Sequence, residues 1–308
     1  MGNHPDAECV EAGRALGHDL YRYRRPQDAQ GWPGAVCEGF MQAHARRIGT
    51  EMPDRFVRKW LQLRLNALTR HRHVDSGVTP ALLREIDVAD CPVTRERLTH
   101  GELTASDWSV DRLNNDGAYA ANNLAVMSTR ANRAKGARSF EDVVVLSSRP
   151  EPADGLSPQE WLRLAGLMLG PCFAGAASQA PLLPLLAPVP KRSVQTAAQL
   201  IQHALSSQAS RAADKNRLVK HWRAVCDEEG PCQRLCVLAD VVHEGLKQVG
   251  HPGDVWLLPA TMPALVRWKA SLSDRQWALA GRIAGTLVGA RVVPSARLHS
   301  WRLPTAVV

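Results

Sequence analysis

From residue 164 to residue 190 the chain runs 27 positions without a charged side chain, and five of them are proline: Pro171, Pro181, Pro184, Pro188 and Pro190. The length would suit a bilayer crossing, but the prolines would not. Each removes a backbone donor, and the last four fall within ten residues, which would leave carbonyls unpaired in hydrocarbon. The stretch therefore reads as a buried helix running into an apolar, proline-rich linker, not as a membrane span. It divides the chain, with helix and linker at residues 149–193 and a helical C-terminal domain at residues 194–308. A length of 308 residues has room for about two domains.

Helical signals dominate both ends. Val57, Trp60, Leu61, Leu65 and Leu68 recur at helical spacing with Arg58, Lys59 and Arg64 between them, which predicts an amphipathic helix with a basic face over residues 55–71. Thr79-Pro80 supplies an N-cap and a first-turn proline for a short helix to residue 86. Ser157-Pro158-Gln159-Glu160 and Ser273-Asp274-Arg275-Gln276 are capping boxes. Val194, Ala198, Ile201 and Leu205 form one further apolar stripe, and Leu235, Leu238, Val242 and Leu246 another. No fixed-period repeat is present, so a solenoid is not expected.

Between residues 91 and 138 the texture changes to short apolar runs separated by polar turns. Residues 108–113 alternate as a strand does, Asn114-Asn115-Asp116-Gly117 is a turn signal, residues 124–127 form a second short strand, and a basic helix follows over residues 129–135. The expected fold is mainly α with a small central α+β module at residues 89–148, preceded by a helical region at residues 1–88.

Charge is informative by position more than by sum. The formal net charge is +8, yet residues 1–150 hold 21 basic and 19 acidic groups and residues 151–308 hold 17 and 11. Neither half is a basic arm, so an anionic partner is permitted but not demanded. The seven cysteines are scattered without a C-x-x-C pair, which suits a reducing, cytoplasmic setting, and the Met1-Gly2-Asn3-His4-Pro5-Asp6 start carries no export signal. No phosphate-cradling glycine loop, G-x-S-x-G or H-E-x-x-H occurs, which leaves nucleotide hydrolase, serine hydrolase and zincin chemistry without support. Cys226, Cys232, Cys236 and His243 match no common zinc spacing.

The central module carries the chemistry. Cys91-Pro92-Val93-Thr94, Ser109-Val110-Asp111-Arg112-Leu113, Gly117-Ala118-Tyr119, Asn122-Asn123-Leu124 and Arg130-Ala131-Asn132-Arg133-Ala134-Lys135-Gly136 follow in order within about 48 residues. This succession resembles the HNH endonuclease family, in the branch whose first strand ends in Asp-Arg. The resemblance implies a ββα-metal fold: a two-stranded hairpin with a helix across it and one divalent cation, Mg²⁺ or alternatively Mn²⁺, between strand and helix. It implies Asp111 and Asn132 as oxygen ligands of a kind a hard cation prefers, Asn123 as a clamp on the loop, and metal-dependent hydrolysis of DNA phosphodiesters. DNA and RNA are not separated by these residues.

Arg112 departs from the pattern, standing where most of the family places the histidine that deprotonates water. A guanidinium stays protonated and cannot do so. Three readings stay open: Arg112 stabilises phosphate charge while another group is the base; His100 fills the vacancy; or the chain is an inactive nucleic-acid-binding or adaptor protein. Only Cys91 remains of the family's zinc-binding cysteine pairs, so no structural zinc is expected and Cys91 reads as a small buried hydrophobe. Arg130, Arg133, Lys135 and Arg138 are expected to contact phosphates, with Arg58 and Lys59 as a second surface. Trp108 is expected in the core, and the C-terminal helices are a candidate protein-binding domain.

Overall fold

Seven of the described α-helices start on a side-chain cap. In the computed structural model, which describes residues 7–24 and 31–290, Asp54, Thr79, Ser128, Ser139, Ser157, Thr196 and Ser273 each accept the backbone N–H three residues on. Each bond satisfies one of the donors a helix start leaves orphaned. The helices are α1 Ala7–Arg22, α2 Gly34–Ala45, α3 Arg55–Thr69, α4 Pro80–Glu85, α5 Thr129–Lys135, α6 Phe140–Ser147, α7 Pro158–Cys172, α8 Ala197–Gln208, α9 Ala212–Trp222, α10 Glu229–Leu246, α11 Thr261–Ala270 and α12 Asp274–Leu287. Two strands, β1 Trp108–Arg112 and β2 Leu124–Ser128, pair antiparallel. The chain is thus mainly helical with one small two-stranded sheet. Among the described residues no helix is long and apolar enough to cross a membrane. The Met1–Asp6 segment read for export signals lies outside the described residues.

The described residues divide into two compact units. One runs to Asp87 and takes in Ala118–Ala121. Within it α1 and α2 meet backbone to backbone, since a Cβ on Gly17 would fall 2.1 Å from the Val36 oxygen and one on Gly39 2.0 Å from the Arg14 oxygen. Leu16, Leu20, Val36 and Leu61 form the core there. Helix α3 ends two residues before the periodicity suggests, in a Schellman turn: His71 takes φ +50°, its N–H reaches the Leu68 oxygen, and the Arg72 N–H reaches that of Ala67. Tyr119 joins this unit by exchanging strand-like bonds, donating to His73 O at 3.0 Å and accepting from Asp75 N at 2.9 Å.

The second unit holds Val88–Gly117 and the described residues from Asn122 on. Helix α7 is buried over nearly its whole circumference, from Trp161 through Pro171 except at the half-buried Leu162. Gly170 permits this, because a Cβ there would lie 1.8 Å from the Val194 oxygen. Pro171 falls in the last turn, where its missing N–H forgoes one i to i−4 hydrogen bond and the helix ends at the next residue. Beyond it the chain runs without α-helix to α8, broken by one 3₁₀ turn at Ala177–Gln179. The C-terminal helices close over Trp222, Trp256, Trp268 and a shell of leucines. Cys236, grouped in the sequence with other thiols, is exposed, while burial pushes the Cys226 thiol up to about 11.

A polar lock ties the turn before the hairpin to this helical part. Arg95, at φ +61°, donates two bonds to the Asp254 carboxylate (2.8 and 2.6 Å) and one to Leu186 O (3.1 Å). Nearby, buried Arg163 donates to Val93 O at 3.0 Å. Hydrogen bonding from Arg95 holds the Asp254 carboxyl below its ordinary range. A depressed carboxyl stabilises the fold above its unfolded pKa and loses that contribution as pH falls through the folded value. Asp254→Asn is therefore expected to lower the melting temperature at about pH 7, the difference from wild type shrinking as pH falls below the ordinary carboxylate range. Thermal melts across that range check this, and a pH-independent difference would contradict it.

Candidate active site

The hairpin register sets which side chains face the helix. Trp108 pairs with Ser128, Val110 with Val126 and Arg112 with Leu124. The two-residue period of a strand puts Ser109 and Asp111 on one face of β1 and Trp108, Val110 and Arg112 on the other. Trp108, at the start of the strand, is half-buried and not fully in the core. All of β2 is buried, and it leads directly into α5 through the Ser128 cap. Cys91, buried as expected, does more than fill space. Its sulfur accepts the N–H groups of Thr94 (3.4 Å) and Ser128 (3.2 Å), joining the turn before the hairpin to the strand–helix junction.

Helix α5 lies on the Ser109/Asp111 face. Asn132 Nδ2 donates to Ser109 Oγ at 2.7 Å, and one helical turn on Lys135 Nζ donates to Asp111 Oδ2 at 2.9 Å. The lysine side chain is 0% exposed and that of Asp111 17%. A second acceptor, Asn115 Oδ1, lies 2.8 Å from the ammonium. Asn115 also donates to the carbonyls of Gly136 and Arg138 at 3.2 Å each, fastening the loop after β1 to the end of α5. Among the described residues, one oxygen each of Asp111 and Asn132, Oδ1 in both cases, accepts from no protein donor, and neither is a fully buried atom. The donors left over on facing elements are thus one carboxylate oxygen and one amide oxygen, a set that fits a hard divalent cation. Among the described residues no group of three His, Cys, Asp or Glu side chains comes together to make a fuller set.

Asn123 is fully buried, and its amide bonds Asn114 twice, accepting from N at 2.8 Å and donating to O at 2.9 Å. This closes the base of the loop. Arg112 closes its tip, with Nη1 donating to the carbonyls of Asn115 (2.9 Å) and Gly117 (2.8 Å). His100 packs on Trp108, ring centroids 6.1 Å apart. That contact is with the strand face opposite Asp111 and three residues away, about 10 Å along β1.

The basic residues separate into distinct environments. Lys135 is sealed beneath Asp111, so as folded it is an internal counter-charge and presents nothing to an external phosphate. Arg130 pairs with Glu160 (2.8 Å) and Glu96 (3.1 Å), and Arg138 pairs with Asp154 (2.6 Å) and covers the Trp161 ring. Arg133 is exposed on α5 and has no acidic partner among the described residues. In the other unit Arg58 is exposed and donates to Pro53 O, and Lys59 is half-buried.

Two residues of this site, Ser109 and Asn115, escape sequence reasoning. Asn115 reads only as part of a turn, and Ser109 as an alternating strand position. Their signal is the Ser-x-Asp spacing in the strand against the Asn-x-x-Lys spacing in the helix, which match only once the two are packed. No protein-family model, curated protein or solved structure matches this chain.

Proposed function

We propose that the module is an HNH-like, metal-dependent phosphodiester hydrolase acting on DNA. The observation that supports this most is that Asp111 on β1 and Asn132 on the facing helix α5 each keep one side-chain oxygen without a protein donor among the described residues, inside a ββα arrangement whose loop is clamped by Asn123. Asp111 and Asn132 would hold the cation. When bound, it would polarise a phosphoryl oxygen and stabilise a leaving alkoxide. Asn123 and Arg112 do geometric work, fixing the loop from base and tip. Lys135 holds the Asp111 carboxylate in place from beneath. Arg112, with its guanidinium given to two carbonyls, accepts no proton, and His100 is directed to Trp108.

A second reading has its own support. Because Lys135 already balances Asp111, the module is also suited to bind nucleic acid without hydrolysing it. Purified protein tested on supercoiled plasmid with Mg²⁺ or Mn²⁺ separates the two. Nicking that EDTA abolishes sustains the first reading. Metal-independent, salt-sensitive retention of DNA without cleavage under either metal sustains the second.

Either reading gives Arg133 a direct role, since it is the α5 cation left without an acid among the described residues. Arg133→Ala is expected to weaken DNA binding and to reduce the slope of log affinity against log salt by about 1. Fluorescence anisotropy over a salt series reads this, and an unchanged slope would remove Arg133 from the interface.

A further inference from the structure

We infer that Lys135 makes divalent-cation binding at this site conditional on nucleic acid, the substrate's own phosphate supplying the negative charge that the protein withholds. The inference rests on the hydrolase reading above and adds how that site is loaded. Asp111 is the carboxylate that faces α5, and its charge is met at 2.9 Å by an ammonium that is 0% exposed. Carboxylate and ammonium together carry no net charge, and the remaining donor, Asn132 Oδ1, is neutral. A dication approaching Asp111 Oδ1 gains one carboxylate but is repelled by a fixed cation on the same group, in surroundings that screen poorly. Lys135 cannot swing away to relieve this, because Asn115 Oδ1 holds it from the other side at 2.8 Å and Asn115 is itself tied to Gly136 and Arg138.

A phosphodiester alters the balance. It brings a full negative charge and oxygen donors to a site whose protein donors number two, leaving water to fill the rest of the six or more oxygens a hard cation takes. Cation and nucleic acid then bind with positive coupling, and by linkage each must tighten the other by the same factor. The ammonium also spares the module from needing a cation to fold, since the carboxylate is compensated without one.

Electron paramagnetic resonance of Mn²⁺ titrated into the full chain tests this, alone and with a short DNA duplex carrying phosphorothioate linkages that resist cleavage. The expected result is weak Mn²⁺ binding by the protein alone and at least tenfold tighter binding with the duplex, with the reciprocal tightening of duplex binding by Mn²⁺. Lys135→Met, if folded by circular dichroism, should bind Mn²⁺ without DNA at least tenfold more tightly than wild type, while Lys135→Arg should not. Should Lys135→Met fail to fold, the wild-type comparison with and without duplex decides, after subtraction of the Mn²⁺ that the duplex alone holds. Tight Mn²⁺ binding by the wild-type protein without DNA, unaffected by the duplex, overturns the inference and leaves the hydrolase reading intact. Absence of Mn²⁺ binding under every condition, duplex included, overturns the hydrolase reading and the inference with it.

Discussion

Asp111→Asn is expected to reduce Mg²⁺-dependent plasmid nicking by about 10²–10³-fold, the loss typical when one preorganised electrostatic group is removed from a reaction centre. The substitution keeps shape but turns one acceptor oxygen into an amide donor and removes the charge that faces α5. It carries a complication that the geometry makes explicit: Lys135 stays buried, and its ammonium loses its compensating charge. Lower activity could then arise from lower stability. The double variant Asp111→Asn/Lys135→Met separates the causes, because it removes both charges together. It should regain most of the lost thermal stability and none of the nicking. Recovery of nicking in the double variant, or full nicking in Asp111→Asn, would exclude Asp111 from the chemistry.

The second large effect concerns stability. Lys135→Met leaves Asp111 charged against α5 with 17% of its side chain exposed, and it leaves Asn115 Oδ1 without its donor. Removing one member of a buried ion pair costs about 3 kcal/mol or more; the partial exposure of Asp111 places this pair at the low end. In a double-mutant cycle with Asp111→Asn the two losses should be far from additive, as expected for groups in direct contact. Urea unfolding of the four proteins gives the coupling. Additive losses would mean that the 2.9 Å contact contributes no coupling to the folded protein.

Much of the module is legible in the residues alone. Ser128 ahead of Thr129, the alternation through Asp111 and the apolar run at Leu124 place two strands and a helix to within a residue, because caps and strand periods are local. The Asn123 clamp onto Asn114 is another short-range arrangement, nine residues apart across one loop. The buried course of α7 beyond Arg163 follows from a lack of charges. Less local features stay hidden. The Gly17/Gly39 approach depends on two helices meeting, and the lock of Arg95 on Asp254 spans 159 positions.

The contrast is sharpest at Lys135. By itself the sequence determined that a basic helix follows the second strand, and that Asp111, Asn123, Asn132 and Lys135 fall within one short segment. A lysine in such a helix reads as a surface charge, since lysines are rarely buried without a partner. Tertiary structure decided otherwise by laying α5 across the Ser109/Asp111 face. That places a carboxylate 24 positions away and an amide 20 positions away within bonding distance of one ammonium. Local propensity sets where a helix starts and which residues share its face, but the charge a buried side chain meets is set by what packs against that face.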